Sequence, residues 1–219
     1  MTLLRHLGFQ RLTFMKAVDG KALQQAGGRE RKMSNSCRRL SYDWGNERKV
    51  HFLRSNRLGN AGISDVWAQL GCALSHRNAL TAAKEELLAG AKAVFIFEDD
   101  LLLQCEGSFK SKFHTIWQEL TSKYPNWFFL QLGGTPVYSS FHKNGRSKVR
   151  FVNHATNVFQ LHAYALRNAE GIVGFIDAVI EKIELGFIAD NATNAIMKLY
   201  KDKCFWCSPN LIQTLLAFR

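Results

Sequence analysis

The chain has 219 residues, 47% of them hydrophobic, which is enough to bury a substantial core in one domain. Its formal net charge of +11 lies mostly in the first 60 residues, which hold 13 Lys and Arg against four Asp and Glu. No apolar run reaches the about 18 residues of a membrane span, no leader core is present, and five cysteines argue against a disulfide framework, so we expect a soluble, non-secreted protein with free thiols.

The basic segment forms residues 1–60, and we expect it to be partly flexible while belonging to the same domain as residues 61–219. Its most charged stretch, residues 24–49, suits a solvated arm, but a basic arm can also contact nucleic acid, anionic lipid or a phosphorylated small molecule. No nucleic-acid motif or aromatic platform accompanies it, so nucleic acid is not the partner that we expect.

The first long helix is predicted over residues 66–89, which are rich in Ala and Leu and stop at Gly90. His76 shares a helical face with the apolar side chains at positions 80, 83 and 87. A lone histidine on such a face is more often a hydrogen-bonded core residue than a metal ligand or a base.

A short strand is predicted over residues 92–97, and three adjacent carboxylates, Glu98, Asp99 and Asp100, follow it. On an extended chain Glu98 and Asp100 point the same way and Asp99 points oppositely, so the first and third carboxylates can converge on a hard cation such as Mn²⁺ or Mg²⁺. Such ions fill their remaining positions with water and substrate phosphates, which makes a nucleoside diphosphate a natural partner. The alternative is a solvent-exposed cap on the strand.

Two more strands are predicted further along the chain. Residues 127–134 end in Gly133 and Gly134, which form either an ordinary turn or a close approach for a ligand. Residues 158–166 alternate between apolar and polar side chains, as expected of a half-buried strand.

The last helices and strands complete an alternating pattern. A helix is predicted from an N-cap at Asn168 to a stop at Gly186, and Asp190 is predicted to cap a short helix after it. The lone CxxC of Cys204 and Cys207 encloses two aromatic residues, and we interpret it as core rather than as a metal or redox site. Strands that alternate with helices predict an α/β fold whose ligands bind at the carboxyl ends of the strands.

The order and spacing of five motifs resemble glycosyltransferase family 25, which includes bacterial lipooligosaccharide and procollagen galactosyltransferases. The motifs are FMKAVDGKAL (14–23), GCALSH (71–76) with EDD (98–100) about twenty residues later, LQLGG (130–134), HAYALRNAEGI (162–172) and PNLIQT (209–214).

The resemblance implies a single α/β domain of the GT-A type, with a mixed sheet flanked by helices, that transfers a hexose, most often galactose, from a UDP-sugar to a glycan or hydroxyl acceptor with inversion. It implies Mn²⁺ (or Mg²⁺) at Asp100, with Glu98 nearer the ribose or a metal-bound water, and Asp190 as the candidate base. The positions that match the family motifs and are expected to contact substrate or nucleotide are Asp19, Gly20, Ser75, His76, Asp99, Gly133 and Gly134.

The chain departs from the family pattern at its start, where the strand that precedes the Ala-Val-Asp-Gly segment is absent. We therefore keep a second hypothesis, a transferase-like binding protein without activity whose basic arm contacts an anionic partner. A phosphohydrolase is a third possibility, but no histidine-rich cluster accompanies the acids. Members of the family act either at the cytoplasmic face of a membrane or, when they carry a leader sequence, in the endoplasmic reticulum. Residues 135–157 are expected to set acceptor specificity.

Overall fold

Helices and strands alternate along the chain. The computed structural model describes residues 11–27, 63–103, 109–136, 152–155, 158–208 and 210–214. The helices in these ranges are α1 (Gly20–Gly27), α2 (Ile63–Leu88), α3 (Phe109–Lys123), α4 (Ile172–Glu184) and α5 (Ala189–Met197), with a 3₁₀ turn at Lys198–Tyr200. The strands are β1 (Ala93–Phe97), β2 (Leu101–Leu103), β3 (Phe129–Gln131), β4 (Thr135–Pro136), β5 (Val152–His154), β6 (Val158–Phe159), β7 (Ala163–Arg167), β8 (Cys204–Cys207) and β9 (Ile212–Thr214).

The central sheet has five strands in the order β1-β7-β3-β8-β5, and two-stranded pairs form between β2 and β9 and between β4 and β6. Strands β3 and β8 are parallel, whereas β1 and β3 are both antiparallel to β7. Strands β1, β3 and β8 therefore run in one direction, and their carboxyl ends share one edge of the sheet. This mixed sheet with flanking helices confirms the predicted α/β domain.

Helices cover both faces of the sheet. One core cluster joins α2, α4 and α5 to one face, and a second joins α3 to the other. Successive residues of β7 enter the two clusters alternately: Tyr164 packs in the first, while Ala163 and Ala165 pack in the second. Helix α2 is held over the β1 end of the sheet through its buried residues Leu80 and Leu87.

The prediction of one half-buried strand over residues 158–166 is wrong. The segment divides into β6 and β7 at Gln160, whose φ of 71° is a left-handed conformation that interrupts an extended chain. Four of the five residues of β7 are buried, because this strand lies inside the sheet and is covered on both faces. Alternate residues of β7 do face opposite sides of the sheet, but helices bury both sides.

Two predicted helix stops are confirmed and two predicted caps are wrong. Gly90 and Gly186 adopt left-handed φ values of 98° and 96° after α2 and α4. Asn168 lies four residues before α4, and its side-chain amide donates to the carbonyl groups of Leu87 and Ala91 instead. Asp190 lies inside the first turn of α5, because the helix begins at Ala189.

The prediction that Cys204 and Cys207 belong to the core is confirmed. All four residues of β8 are buried, and burial raises the pKa of both thiols. Three cysteines in the described ranges are free thiols, and Cys72 is the exposed one among them.

None of the helices in the described part of the chain is both long enough and apolar enough to cross a bilayer. The arginines and lysines of the basic stretch from Arg29 to Arg39 lie outside the described residues, as does most of the proposed acceptor loop.

Candidate active site

Glu98 lies at the centre of a hydrogen-bonded cluster at the carboxyl end of β1. Its backbone N–H donates to the carbonyl oxygen of His162 at 2.8 Å, which fixes the chain just beyond the sheet edge. Its two carboxylate oxygens point to different histidines: Oε1 lies 3.0 Å from His76 Nε2, and Oε2 lies 2.8 Å from His162 Nδ1. One carboxylate therefore links helix α2 to the start of β7.

The hydrogen bonds determine the charge of this carboxylate. Burial alone would raise the pKa of Glu98, but hydrogen bonds from His162 and His76 outweigh it and lower the pKa to about 2. Burial likewise opposes a charged imidazole, yet Tyr164, Cys72 and Glu98 together hold the pKa of His76 well above its ordinary value. Glu98 is therefore ionised in the metal-free cluster, and its contact with His76 favours the charged form of that imidazole.

His76 is a buried, hydrogen-bonded residue, as its apolar helical face predicts. Its side chain is 6% exposed, and its Nδ1 lies 3.1 Å from the hydroxyl of Tyr164. Tyr164 is itself almost completely buried, and burial raises the pKa of its phenol. The two contacts leave the His76 ring fixed in orientation between β7 and Glu98.

A hard-cation set is formed by Glu98, Asp100 and His162. One potential ligand atom from each lies within 4.8 Å of the others. Among the described residues, buried Asp100 Oδ1 and His162 Nε2 have no hydrogen-bond partner. Buried polar atoms normally have partners, so these two suit a ligand or an ion. Asp99 is exposed, and its predicted contact with nucleotide stays a prediction.

The donor types in this set fit Mn²⁺. Carboxylate oxygens suit hard divalent cations, and the imidazole adds a nitrogen ligand that Mg²⁺ accepts less readily. His162 also has the arrangement typical of a metal-bound histidine, because its Nδ1 faces the Glu98 carboxylate while Nε2 is left over for a ligand. Asp100 and His162 would therefore hold the cation directly, with Glu98 orienting the imidazole or binding alongside it.

The turn that carries His162 is fixed from two sides. Asp190 accepts hydrogen bonds from the backbone N–H groups of Gln160 and Leu161 at 3.0 and 3.2 Å. The amide of Gln131 donates to the carbonyl oxygen of Gln160 at 2.9 Å. These contacts stabilise the left-handed Gln160, a strained conformation of a kind that concentrates at functional sites.

Asp190 lies near the hydrogen-bonded cluster around Glu98. Burial raises its pKa, the two backbone N–H groups oppose that rise, and the charges of His76 and Glu98 also act on its carboxyl. The carboxylate positions the turn of His162, and it lies within the electrostatic range of Glu98.

The motif segments FMKAVDGKAL (14–23) and GCALSH (71–76) contact each other. The N–H of Val18 donates to Ser75 Oγ at 2.8 Å, and Ser75 Oγ donates to the carbonyl oxygen of Gly71. Asp19 caps α1 by accepting from the N–H groups of Lys21 and Ala22. Ser75 and Asp19 thus have local structural partners in addition to their predicted role in nucleotide binding.

Gly20 and Gly71 bring the backbone of this segment against α2. A Cβ on Gly20 would lie 2.2 Å from the carbonyl oxygen of Trp67, and one on Gly71 would lie 2.7 Å from that of Val18. Only glycine permits such an approach, so packing between two parts of the chain explains both residues.

We predict that Gly71→Ala lowers the free energy of unfolding by about 1 to 3 kcal/mol, because the overpacking of backbone against Cβ outweighs the gain in helix propensity. Gly174→Ala is the matched control, since Gly174 is also helical and its nearest neighbour would be the Tyr200 hydroxyl at 3.8 Å. The control should be neutral or up to about 1 kcal/mol more stable. Urea unfolding of both variants measures this, and equal effects would contradict the close contact.

Gly133 and Gly134 lie at the carboxyl end of β3, on the same sheet edge as Glu98. A Cβ on Gly133 would meet the carbonyl oxygen of Ile212 at 2.0 Å, so this glycine permits close contact with β9. The carbonyl oxygen of Gly134 accepts from the amide of Asn210 at 2.8 Å. Their predicted contact with nucleotide stays a prediction.

The structure thus brings Glu98, Asp100, His76 and Asp190 to one end of the sheet, and it adds His162. The alternation over residues 158–166 predicts only that His162 lies on the polar face of a strand, because the turn at Gln160 leaves no periodic signal. Its position in HAYAL, directly before a core strand, was the one available clue.

In a scan against protein-family models and a search of curated proteins, nothing matches this chain.

Proposed function

We propose that the protein is a metal-dependent hexosyltransferase that moves a hexose, galactose by the resemblance of its motifs, from a UDP-sugar to a hydroxyl acceptor with inversion. The observation that carries the proposal is the convergence of Glu98, Asp100 and His162 at the carboxyl end of β1. A mixed α/β sheet is expected to bind its ligand at that edge, and a diphosphate is the group that a partly coordinated hard cation binds best.

When bound at Asp100 and His162, Mn²⁺ would neutralise negative charge on the diphosphate leaving group. The residues of the chain have separate tasks around it. Glu98 orients the His162 imidazole through a 2.8 Å contact, and His76 holds the other oxygen of Glu98. A fixed carboxylate keeps the imidazole of His162 in place without reorganisation.

Asp190 is the proposed base that removes the proton from the acceptor hydroxyl. Its raised pKa suits that task, because a carboxylate with higher proton affinity accepts a proton more readily near neutral pH. Asp190 is also a positioning residue for the turn of His162, and Asp190→Asn separates the two roles. If Asp190 acts only as the base, the variant loses transfer and retains donor binding. If it also positions the turn, donor binding falls as well.

The proposal is tested by measuring the thermal stability of the full chain with UDP-galactose, UDP-glucose and UDP, each with Mn²⁺ and with a chelator. We expect a rise in Tm that needs both a UDP compound and the cation. A donor that binds should then be hydrolysed or transferred slowly, and Asp190→Asn should remove that turnover. The absence of any stabilisation by UDP compounds with Mn²⁺ would overturn the proposal.

A further inference from the structure

A second cluster of metal-ligating side chains shares Glu98 with the first. Cys72 and His76 lie four residues apart on α2, so their side chains lie on the same face of the helix. One potential ligand atom each of Cys72, His76 and Glu98 lies within 4.8 Å of the others. The cluster joins a helix to the carboxyl end of a strand, and both are held by the core.

The donor types of this cluster differ from those of the hard-cation set. A thiolate, an imidazole and a carboxylate are the ligands of zinc sites, and sites with three protein ligands keep a fourth position for water. The soft sulfur selects Zn²⁺ over Mn²⁺ and Mg²⁺. Cys72 is exposed, so a cation has access to the cluster from solvent.

The geometry needs little rearrangement. His76 Nε2 and Glu98 Oε1 are 3.0 Å apart. Two atoms that share one zinc at bonds of about 2.0 to 2.1 Å with tetrahedral angles lie about 3.3 Å apart. An ion that replaces the proton between these atoms therefore moves them by only a few tenths of an ångström. The hydroxyl of Tyr164 contacts the other ring nitrogen of His76, as outer partners of metal-bound histidines do.

We propose that Cys72, His76 and Glu98 form a Zn²⁺ site and that Zn²⁺ bound there weakens Mn²⁺ binding at Asp100 and His162. The coupling follows from the shared carboxylate, because Glu98 presents one oxygen to each cluster and its single negative charge is divided between two cations. The zinc site stands on its own geometry, whereas its effect on Mn²⁺ rests on the proposed hard-cation site.

Zinc affinity is measured on the full, metal-stripped chain by competition with a chromophoric chelator, with the metal alone and without nucleotide. Wild type should bind one Zn²⁺, and Cys72→Ser should lose at least about 100-fold in affinity, the upper range for disturbing the partners of a metal ligand. Cys204→Ala is the thiol control and should retain wild-type affinity, because Cys204 is a buried free thiol at the amino end of β8, away from the sheet edge that carries Glu98. Equal affinity of Cys72→Ser and wild type would overturn the zinc site.

Substitution with Co²⁺ provides a readout that folding alone does not change. Wild type and Cys204→Ala should show the intense near-ultraviolet absorption of a thiolate bound to Co²⁺, and Cys72→Ser should lack it while retaining the wild-type circular dichroism spectrum. In a Mn²⁺ titration, saturating Zn²⁺ should weaken Mn²⁺ binding at least tenfold in wild type and leave Cys72→Ser unchanged. An unchanged Mn²⁺ affinity in wild type would refute the coupling.

These measurements separate the two proposals. If UDP-sugars do not bind, the expected zinc affinities of wild type and variants still hold, because no nucleotide is present in the zinc assay. If the chain does not bind Zn²⁺, the expected Mn²⁺-dependent rise in Tm with UDP-sugars is unaffected.

Discussion

Asp100→Asn should abolish the Mn²⁺-dependent stabilisation by UDP-hexoses. A ligand present at 100 times its Kd raises the free energy of unfolding by about 2.7 kcal/mol, and the variant should retain almost none of that increase. Asn keeps the size of the side chain but removes the negative charge that a divalent cation requires. The effect is measured as the shift in Tm with UDP-galactose and Mn²⁺ relative to Mn²⁺ alone.

The expectation rests on the environment of Asp100. Its Oδ1 is buried without a hydrogen-bond partner among the described residues, so this oxygen has lost water without gaining a protein donor. Asn keeps the size of the side chain and removes its charge, so the Tm of Asp100→Asn in chelator reports any change in stability that does not involve a cation. Loss of the Tm shift that UDP-galactose and Mn²⁺ cause is the result that assigns Asp100 to the metal site.

Asp202→Asn is the control for the change in net charge, since Asp202 is exposed and lies in the turn before β8. It should keep the full shift in Tm. A Mn²⁺-dependent shift of wild-type size in Asp100→Asn would remove Asp100 from the metal site.

Composition, glycine stops and side-chain periodicity predicted those helices and strands that depend on neighbouring residues. Helix α2 and strand β1 follow from composition and from the stop at Gly90, and the core location of His76 follows from its apolar helical neighbours. The side-chain alternation across Glu98, Asp99 and Asp100 also predicted that the first and third carboxylates can converge on one cation, and both belong to one set of potential ligands. Each of these features depends on residues within about four positions along the chain.

Contacts between distant residues could not be predicted in the same way. The turn at Gln160 depends on Asp190 and Gln131, which lie about 30 residues away on either side. Without that turn the period of two assigns His162 to a solvent face, whereas in the structure it contacts Glu98. The spacing of four between Cys72 and His76 on a predicted helix was a usable signal for a shared face, but only the position of Glu98 gives it a chemical meaning.

Glu98→Gln should remove about 3 kcal/mol of stability from the metal-free protein at pH 6, and almost none near pH 2. The pKa of Glu98 falls from its ordinary value of 4.5 to about 2 in the folded chain. At about 1.4 kcal/mol per pKa unit, that shift corresponds to about 3 kcal/mol. Because the folded pKa is the lower one, the stabilisation is present above pH 4.5 and is lost as the pH falls towards 2.

Glutamine imitates the protonated carboxyl, so wild type and variant should converge as the acid titrates. Urea unfolding between pH 6 and pH 3 in chelator measures the difference, which should shrink as the pH falls. Glu85→Gln, an exposed glutamate on α2, should differ from wild type by the same small amount at every pH. A Glu98→Gln penalty that does not change with pH would mean that the two histidines do not bind the ionised form of this carboxylate preferentially.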